Sequence, residues 1–128
     1  VDDYMKAVTT LACGGTTPDG YRLLKPETIA EMEVNRLCPA AWKDFVAGRL
    51  YGYGWGLCGR VHVNPVRSLS RSSVGEFGWD GAQAAFSMVD RKTRTALYFG
   101  TQVANCNYAY NLLHPTLRNL VFEMLDGE

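Results

Sequence analysis

The chain has 128 residues, of which 47% are hydrophobic. This composition suits one folded domain with a core of its own and excludes a disordered segment. Thirteen basic residues balance thirteen acidic ones, so no net charge attracts nucleic acid or an anionic membrane, and small molecules or other proteins are the expected partners. No apolar run reaches the roughly 18 residues of a membrane span. The chain begins with Val1 rather than a methionine, and we expect its natural N-terminus to lie upstream.

The N-terminal third of the chain predicts helices. Apolar residues recur at helical spacing behind two aspartates, which predicts a first helix over 3–13 that ends at Gly14–Gly15. A tight turn and a short extended stretch follow. Pro26 suits the first position of a second helix, which we predict to continue to about residue 35. Residues 36–50 show no sustained period, and we expect a loop there with one helical turn.

The pattern changes to that of a sheet at Tyr51. Aromatic and glycine residues alternate over 51–57, which predicts a strand with its aromatic side chains on one face and glycines that allow close backbone approach. A polar connection over 64–73 comes next. Three further strands are then predicted in close order, at 74–79, 83–89 and 95–101. The short turns between the last three strands imply antiparallel neighbours.

The C-terminal segment predicts an amphipathic helix. After Pro115, apolar residues occupy positions 117, 120, 121, 124 and 125, which places them on one helical face. The fold class is therefore α+β: an antiparallel sheet of three to four strands with a packed C-terminal helix and N-terminal helices. The composition shifts near residue 50, so we expect segments 1–49 and 50–128 to contribute to two lobes of a larger molecule.

The four cysteines give no support for a metal site. They lie far apart, without a C-x-x-C pair or a nearby cluster of histidines. Their even number leaves disulfides open, but a chain with this much core material does not need them. We expect buried free thiols, and no metal or cofactor is implied.

Four blocks of the sequence resemble one family. They are DGYRLLKPETIAEM (19–32), YGYGWGL (51–57), GEFGWDGA (75–82) and ALYFGTQ (96–102). Together, and in this order, they resemble the C-terminal part of the serine beta-lactamase-like family. That family includes class C beta-lactamases, penicillin-binding proteins, D-alanyl-D-alanine carboxypeptidases and esterases. The resemblance implies that 1–49 belongs to the all-α lobe and 50–128 to the α/β lobe.

The resemblance also implies that the catalytic serine lies outside this chain. Enzymes of the family need S-x-x-K, Y-x-N or S-x-N, and K-T-G or a variant. No serine here has a lysine three residues later, and no tyrosine or serine precedes an asparagine by two. We therefore expect no catalytic residue in this chain, and we expect the chain to be inactive alone.

The third motif is represented by Trp79, Asp80 and Gly81. By resemblance, the glycine lets this strand approach the bound acyl group, and the backbone N–H of Ala82 supplies one oxyanion-hole donor. Trp79 replaces the lysine that would attract a substrate carboxylate, which favours esterase-like members. A carboxylate at Asp80 would oppose a forming oxyanion, unless strand alternation turns it to the opposite face of the sheet.

Simpler interpretations compete at several positions. Trp79 is also typical of a core aromatic residue on a sheet face. His62 and His114 could act as a general base, but the sequence places no carboxylate to orient either one, and His114 reads more simply as a helix-start residue before Pro115. The aromatic residues of 51–55 could stack on single-stranded nucleic acid, but Arg49 and Arg60 alone do not make the basic groove that this requires.

Two functions remain open from the sequence. The first is the C-terminal portion of a serine hydrolase that acts through an acyl-serine intermediate on a small-molecule ester or amide. The alternative is a non-catalytic binding or structural module derived from that scaffold. Apolar sides near Val8 and Ile29 and the edge of strand 74–79 lack predicted cover, so we expect self-association as a dimer or binding of a missing N-terminal half.

Overall fold

The computed structural model describes residues 1–47 and 50–127. Within these residues the chain forms five α-helices, one π-helical turn and five strands. In chain order they are α1 (Asp2–Ala12), α2 (Pro26–Met32), α3 (Pro39–Phe45), β1 (Tyr53–Trp55), β2 (Arg60–His62), α4 (Pro65–Ser68), β3 (Phe77–Asp80), β4 (Phe86–Asp90), β5 (Thr95–Phe99), the π-helical turn (Ala109–Leu113) and α5 (His114–Asp126). None of the described helices is long and apolar enough to cross a membrane.

The five strands form one antiparallel sheet in the order β1-β2-β3-β4-β5. The α+β class and the packed C-terminal helix are confirmed. The sheet has one strand more than the upper predicted number, because β2 was not predicted. In β2, Val61 stands between Arg60 and His62, and both polar side chains are buried. A buried polar pair hides the apolar signal on which strand prediction depends.

The sequence predicts the positions of most helices and strands correctly, but their ends less exactly. α2 ends at Met32, three residues before the predicted end, and α3 is a helix of seven residues where a loop with one turn was expected. β1 is shorter than the predicted strand. Its Gly54 permits a close approach, because a side chain there would overlap Asn35, whose Oδ1 accepts a hydrogen bond from the Trp55 N–H at 3.0 Å.

One face of the sheet is covered by α1 and α2. Their buried residues pack with residues from β2, β3 and β4 into one apolar cluster, which consists of Val8, Ala12, Ile29, Val61, Phe77 and Val89. The expectation that Val8 and Ile29 lack cover is therefore wrong. The strand over 74–79 was also expected to present an open edge, but β3 pairs with both β2 and β4. Neither feature therefore supports self-association, which stays a prediction, as does binding of a missing N-terminal half.

The opposite face of the sheet is covered by α5. Phe122 of α5 packs with Phe86 and Met88 of β4, and Leu97 and Phe99 of β5 border this cluster. The two helical layers enclose the sheet, so the packing joins the N-terminal helices to the strands in one structure. The assignment of 1–49 and 50–128 to two lobes of a larger protein stays a prediction, and its boundary adjoins Gly48 and Arg49, which lie outside the described residues.

The cysteines are free thiols but not buried ones. Cys13, Cys38 and Cys58 are exposed, and Cys106 is partly exposed. The expectation of buried thiols is wrong because each of them lies at or beyond the end of a helix or strand, where the chain runs on the surface.

Candidate functional site

The four predicted site residues lie where β3 turns into β4. Trp79 and Asp80 end β3, and Gly81 and Ala82 begin the loop of the β3–β4 hairpin. The Trp79 ring is partly buried and meets the ring of Trp55 edge to face, with 4.7 Å between the centroids. Trp79 is therefore held by an aromatic neighbour while part of its surface stays open to solvent.

The side chain of Asp80 is buried and paired with a cation. Its Oδ1 accepts a hydrogen bond from Nη1 of Arg60 at 3.2 Å, and the relative exposures of the two side chains are 5% and 1%. Strand alternation offered this orientation as the alternative to a carboxylate that points into a cleft. Because Arg60 balances its charge within the protein, Asp80 does not present a bare negative charge beside the Ala82 N–H.

Asp80 belongs to a buried ionic cluster under α5. Arg60 also donates to Oε1 of Glu76 at 3.0 Å, and Arg118 of α5 lies 3.7 Å from Oε2 of Glu76 and donates to the hydroxyl of Tyr53 at 2.8 Å. Two guanidinium groups therefore face two carboxylates. We call Arg60, Glu76, Asp80 and Arg118 the ionic cluster.

The two arginines of the ionic cluster differ in their electrostatic balance. Burial opposes the charge on Arg60, but Glu76 and Asp80 outweigh burial and raise the pKa of the guanidinium. At Arg118, burial and the neighbouring Arg60 prevail and lower the pKa. Both groups remain charged because the ordinary arginine pKa is so high. The Arg60 side chain is thus buried in ion pairs with Glu76 and Asp80, so it cannot contribute to the nucleic-acid groove considered above. Arg49 lies outside the described residues.

The β3–β4 hairpin is a tight turn with backbone strain. The Gly81 N–H donates to the Ala85 carbonyl at 2.7 Å, and the Ala84 N–H donates to the Gly81 carbonyl at 2.9 Å. Ala84 is fully buried and adopts a left-handed conformation with φ of 58°. Such a conformation costs an alanine about 1 kcal/mol or more, so its surroundings must hold it in place.

Residues at the start of the C-terminal helical segment brace this hairpin. His114 contacts the Ala84 carbonyl through Nε2 at 2.9 Å. The hydroxyl of Tyr110 lies 3.1 Å from the Gly81 carbonyl oxygen and 3.0 Å from that of Ala82. Tyr110 lies in the π-helical turn that leads into α5, a distortion that is frequent at functional sites. We call Tyr110 and His114 the brace.

The contacts of His114 define its proton arrangement. Nε2 faces a carbonyl oxygen and must donate, so Nδ1 of the neutral ring carries the lone pair; it lies 3.6 Å from Oδ1 of Asp80 and makes no hydrogen bond within the described residues. Burial lowers the pKa of His114, with a smaller contribution from the nearby arginines, although Asp80 opposes the shift. Its ring stacks on Phe86 at 4.8 Å. The fold therefore brings a carboxylate to His114 that the sequence did not place there.

Gly81 and Ala82 are the open part of the hairpin. Ala82 is exposed, and within residues 1–47 and 50–127 its N–H donates no hydrogen bond. A side chain at Gly81 would meet only Ala85, at the ordinary contact distance of 3.7 Å. Nothing inside the described structure therefore requires a glycine at 81. The glycine would be explained if a group outside this chain had to approach the backbone at position 81 closely.

Sequence analysis missed most of the residues that support the hairpin. Glu76, Tyr110 and Arg118 were not singled out, and Arg60 was considered only as a surface cation. A charged residue inside an apolar alternation is the one signal that could have marked Glu76. His62 has a separate structural role, since its Nε2 lies 2.8 Å from the Ser68 hydroxyl and its Nδ1 3.0 Å from the Ser73 carbonyl.

Comparison with solved structures identifies similar folds. Unliganded simvastatin synthase (LovD) from Aspergillus terreus matches with a TM-score of 0.73 and 18% sequence identity, and the match covers 98% of this chain and 34% of that one. EstCE1, described as a hydrolase with promiscuous acyltransferase activity, matches with a TM-score of 0.66 and 21% identity over 86% of this chain and 27% of that one. The chain therefore has the fold of a portion of these proteins.

Sequence comparison identifies two similar proteins. "Protein Rv1367c" and "Uncharacterized protein MT1414", both from Mycobacterium tuberculosis strains, are 32% identical over 94 residues, which cover 70% of this chain. The matched segment is 23% of each relative, so the chain spans about a quarter of their length. No protein-family model matches the sequence.

Proposed function

We propose that this chain is the C-terminal portion of a serine hydrolase that acts through an acyl-serine intermediate on an ester or amide, and that the β3–β4 hairpin forms one wall of its cleft. The observation that carries the proposal is the combination of an Ala82 N–H that donates no hydrogen bond within the described residues with a hairpin held by the brace. Preorganised donors of this kind stabilise the charge that develops in acyl transfer.

In the proposed reaction, the nucleophile comes from the upstream portion of the protein. A serine of an S-x-x-K motif attacks the substrate carbonyl, and its proton passes to a base of that portion. The carbonyl oxygen becomes an oxyanion, to which the Ala82 N–H donates. Collapse of this intermediate breaks the bond to the alcohol or amine, which leaves with the proton returned by the base, and water then attacks the acyl group and releases the acid from the serine. This chain supplies the donor and the cleft wall, and the upstream portion supplies the chemistry of the nucleophile.

The ionic cluster keeps the proposed oxyanion site free of opposing charge. A carboxylate two residues from the donor would repel an oxyanion strongly in a partly desolvated cleft. Asp80 instead pairs with Arg60 on the buried side of the sheet. The charge of Asp80 is thereby used to anchor the end of β3.

The substrate class follows from Trp79. An indole ring offers apolar contact where a lysine would offer a charge, so we infer an ester or amide without a carboxylate at that position. Similarity to EstCE1, a hydrolase with promiscuous acyltransferase activity, suggests that an alcohol could replace water as the acyl acceptor. This inference belongs to the complete protein.

The closed core favours a second candidate, a binding module that keeps the scaffold without the chemistry. Helices cover both faces of the sheet, so the chain buries its core without an upstream portion. Such a module would bind its partner without forming an acyl-enzyme.

The first test asks whether the chain reacts alone. The purified chain should show no stoichiometric adduct in intact-mass analysis after incubation with penicillin or an activated phosphonate, because the nucleophile motif is absent. A stable adduct on any serine of the chain would refute the assignment of the nucleophile to another portion.

The second test uses the complete protein with Gly81→Val. Activity should fall by about 100-fold or more, because the branched side chain obstructs the approach of substrate to the hairpin. The fold should persist, since only Ala85 lies near the new side chain. Gly127→Val at the end of α5 is the matched control and should retain activity. Full activity of Gly81→Val would remove the hairpin from the active site, and a complete protein that forms no acyl-enzyme would favour the binding module.

A further inference from the structure

A groove of about 490 Å³ lies away from the hairpin, between α3, the turn before β1 and α4. Its volume is that of a small-molecule site. It is lined by Pro39, Trp42, Lys43, Val46, Tyr51, Gly52, Val63, Asn64 and Arg67. None of these residues belongs to the β3–β4 hairpin, the ionic cluster or the brace.

The walls of the groove are apolar and fixed by local contacts. The one polar atom of the Trp42 ring, Nε1, donates to the Tyr53 carbonyl at 2.7 Å, so the ring offers the groove its hydrocarbon surface. Gly52 has a positive φ of 81°, and a side chain there would collide with the backbone of Asn64 and Ser68. This glycine therefore lets α4 pack directly on the turn before β1, which shapes one side of the groove.

The groove is positively charged at its rim. Lys43 and Arg67 are exposed, and no ion pair among the described residues uses either side chain. None of the described lining residues is acidic. The Asn64 Oδ1 accepts from the Arg67 N–H at 3.0 Å, which leaves the amide NH2 of Asn64 able to donate. The polar groups here are thus cations and a donor, the complement of an anion.

From this arrangement we infer a binding site for a small carboxylate with an apolar body, such as a medium-chain fatty acid. The hydrocarbon lies against Trp42, Val46 and Val63, and the carboxylate meets Lys43 and Arg67. Apolar walls supply most of the affinity of such a site, while a few polar groups fix orientation. An arginine and a lysine, with no acidic side chain among the described residues that line the groove, select a carboxylate over a neutral or cationic head group.

The experiment compares two probes of one length on the chain as it is. Decanoate and decanol are titrated by calorimetry below their micelle-forming or solubility limits. Decanoate should bind about tenfold more tightly, because only it engages both cations. In a heteronuclear NMR spectrum, decanoate should shift the indole N–H resonance of Trp42 more than that of Trp79. Equal affinity for the two probes, absence of binding at millimolar decanoate, or a larger shift at Trp79 would each overturn the inference.

Charge variants locate the carboxylate. Lys43→Gln and Arg67→Gln should each weaken decanoate binding about threefold and leave decanol binding unchanged, as expected for exposed charge pairs. Lys25→Gln removes an exposed cation outside the groove and is the matched control. Decanoate affinity that is unchanged in the double variant Lys43→Gln/Arg67→Gln would also refute the site. Because no acylation is measured, this outcome is independent of whether the chain belongs to a serine hydrolase.

Discussion

The two faces of the sheet are built on different principles. The face under α1 and α2 buries an apolar cluster around Ile29 and Phe77. The face under α5 also buries apolar residues, but it surrounds the ionic cluster and His114 with them. The apolar face depends on burial alone, which tolerates small shifts of its members. The polar face depends on matched charges and hydrogen bonds, which define direction as well as proximity.

This difference explains where the candidate site lies. The Ala82 N–H is useful only if the hairpin is held in one orientation, and the polar face holds it through His114, Tyr110 and the Asp80 anchor. Buried ion pairs are weak evidence for stability, because desolvation offsets much of their attraction. We infer that the ionic cluster serves to position the hairpin, whereas the apolar face provides most of the stability.

The largest expected effect comes from breaking the ionic cluster at one member. Glu76→Gln leaves two buried guanidinium groups facing Asp80 alone, so the free energy of unfolding should fall by about 3–5 kcal/mol. Urea denaturation measures this free energy of unfolding. Asp3→Asn is the control, because its ion pair with Lys6 lies on the surface and its loss should change the free energy of unfolding by less than about 0.5 kcal/mol. A loss below about 1 kcal/mol in Glu76→Gln would mean that the charges of the ionic cluster do not stabilise one another.

The apolar face should respond to loss of volume. Ile29→Ala removes a fully buried side chain and should lower the free energy of unfolding by about 2–5 kcal/mol. Leu23→Ala, at a side chain that is 54% exposed, should change the same quantity by less than about 0.5 kcal/mol. A small effect at Ile29, together with dimers in sedimentation, would revive the expectation that α1 and α2 cover a different partner.

The brace offers a milder perturbation. Tyr110→Phe removes the hydroxyl near Gly81 and Ala82 and should lower the free energy of unfolding by about 1 kcal/mol. Amide hydrogen exchange at Gly81 and Ala84 should accelerate about fivefold, since the turn that their N–H groups close would open more often. Tyr108→Phe, at a side chain that is 64% exposed, should change neither quantity. Unchanged exchange in Tyr110→Phe would mean that His114 alone fixes the hairpin.

The smallest effect is a pH dependence. The pKa of His114 in the folded state lies below its ordinary value of 6.5, so the unfolded chain binds more protons as the pH falls through that value. The native state therefore loses stability as the pH drops from about 7.5 towards 5.5, and regains it as the pH rises. His114→Gln keeps a donor for the Ala84 carbonyl but cannot titrate, and it should flatten this slope. An identical slope in the variant would assign the dependence to other groups.

Prediction from sequence succeeded where a periodic apolar pattern matched its environment. α1 and β3–β5 follow such patterns, and their predicted positions differ from the observed ones by a few residues. β2 was missed because two of its three side chains are buried polar groups. α3 was predicted only as one helical turn within a loop, because residues 36–50 show no sustained helical period.

The sequence by itself determined the α+β class, the antiparallel order and the position of the candidate hairpin, because periodicity and turn residues act over short distances. Only the tertiary structure decided that the N-terminal helices cover the sheet, that Asp80 pairs with Arg60, and that Tyr110 and His114 support the hairpin. These contacts join residues from 20 positions apart, as for Arg60 and Asp80, to 94 positions apart, as for Tyr4 and Tyr98. Charges and strained turns at such separations leave no local pattern, since burial and partner together fix their energy.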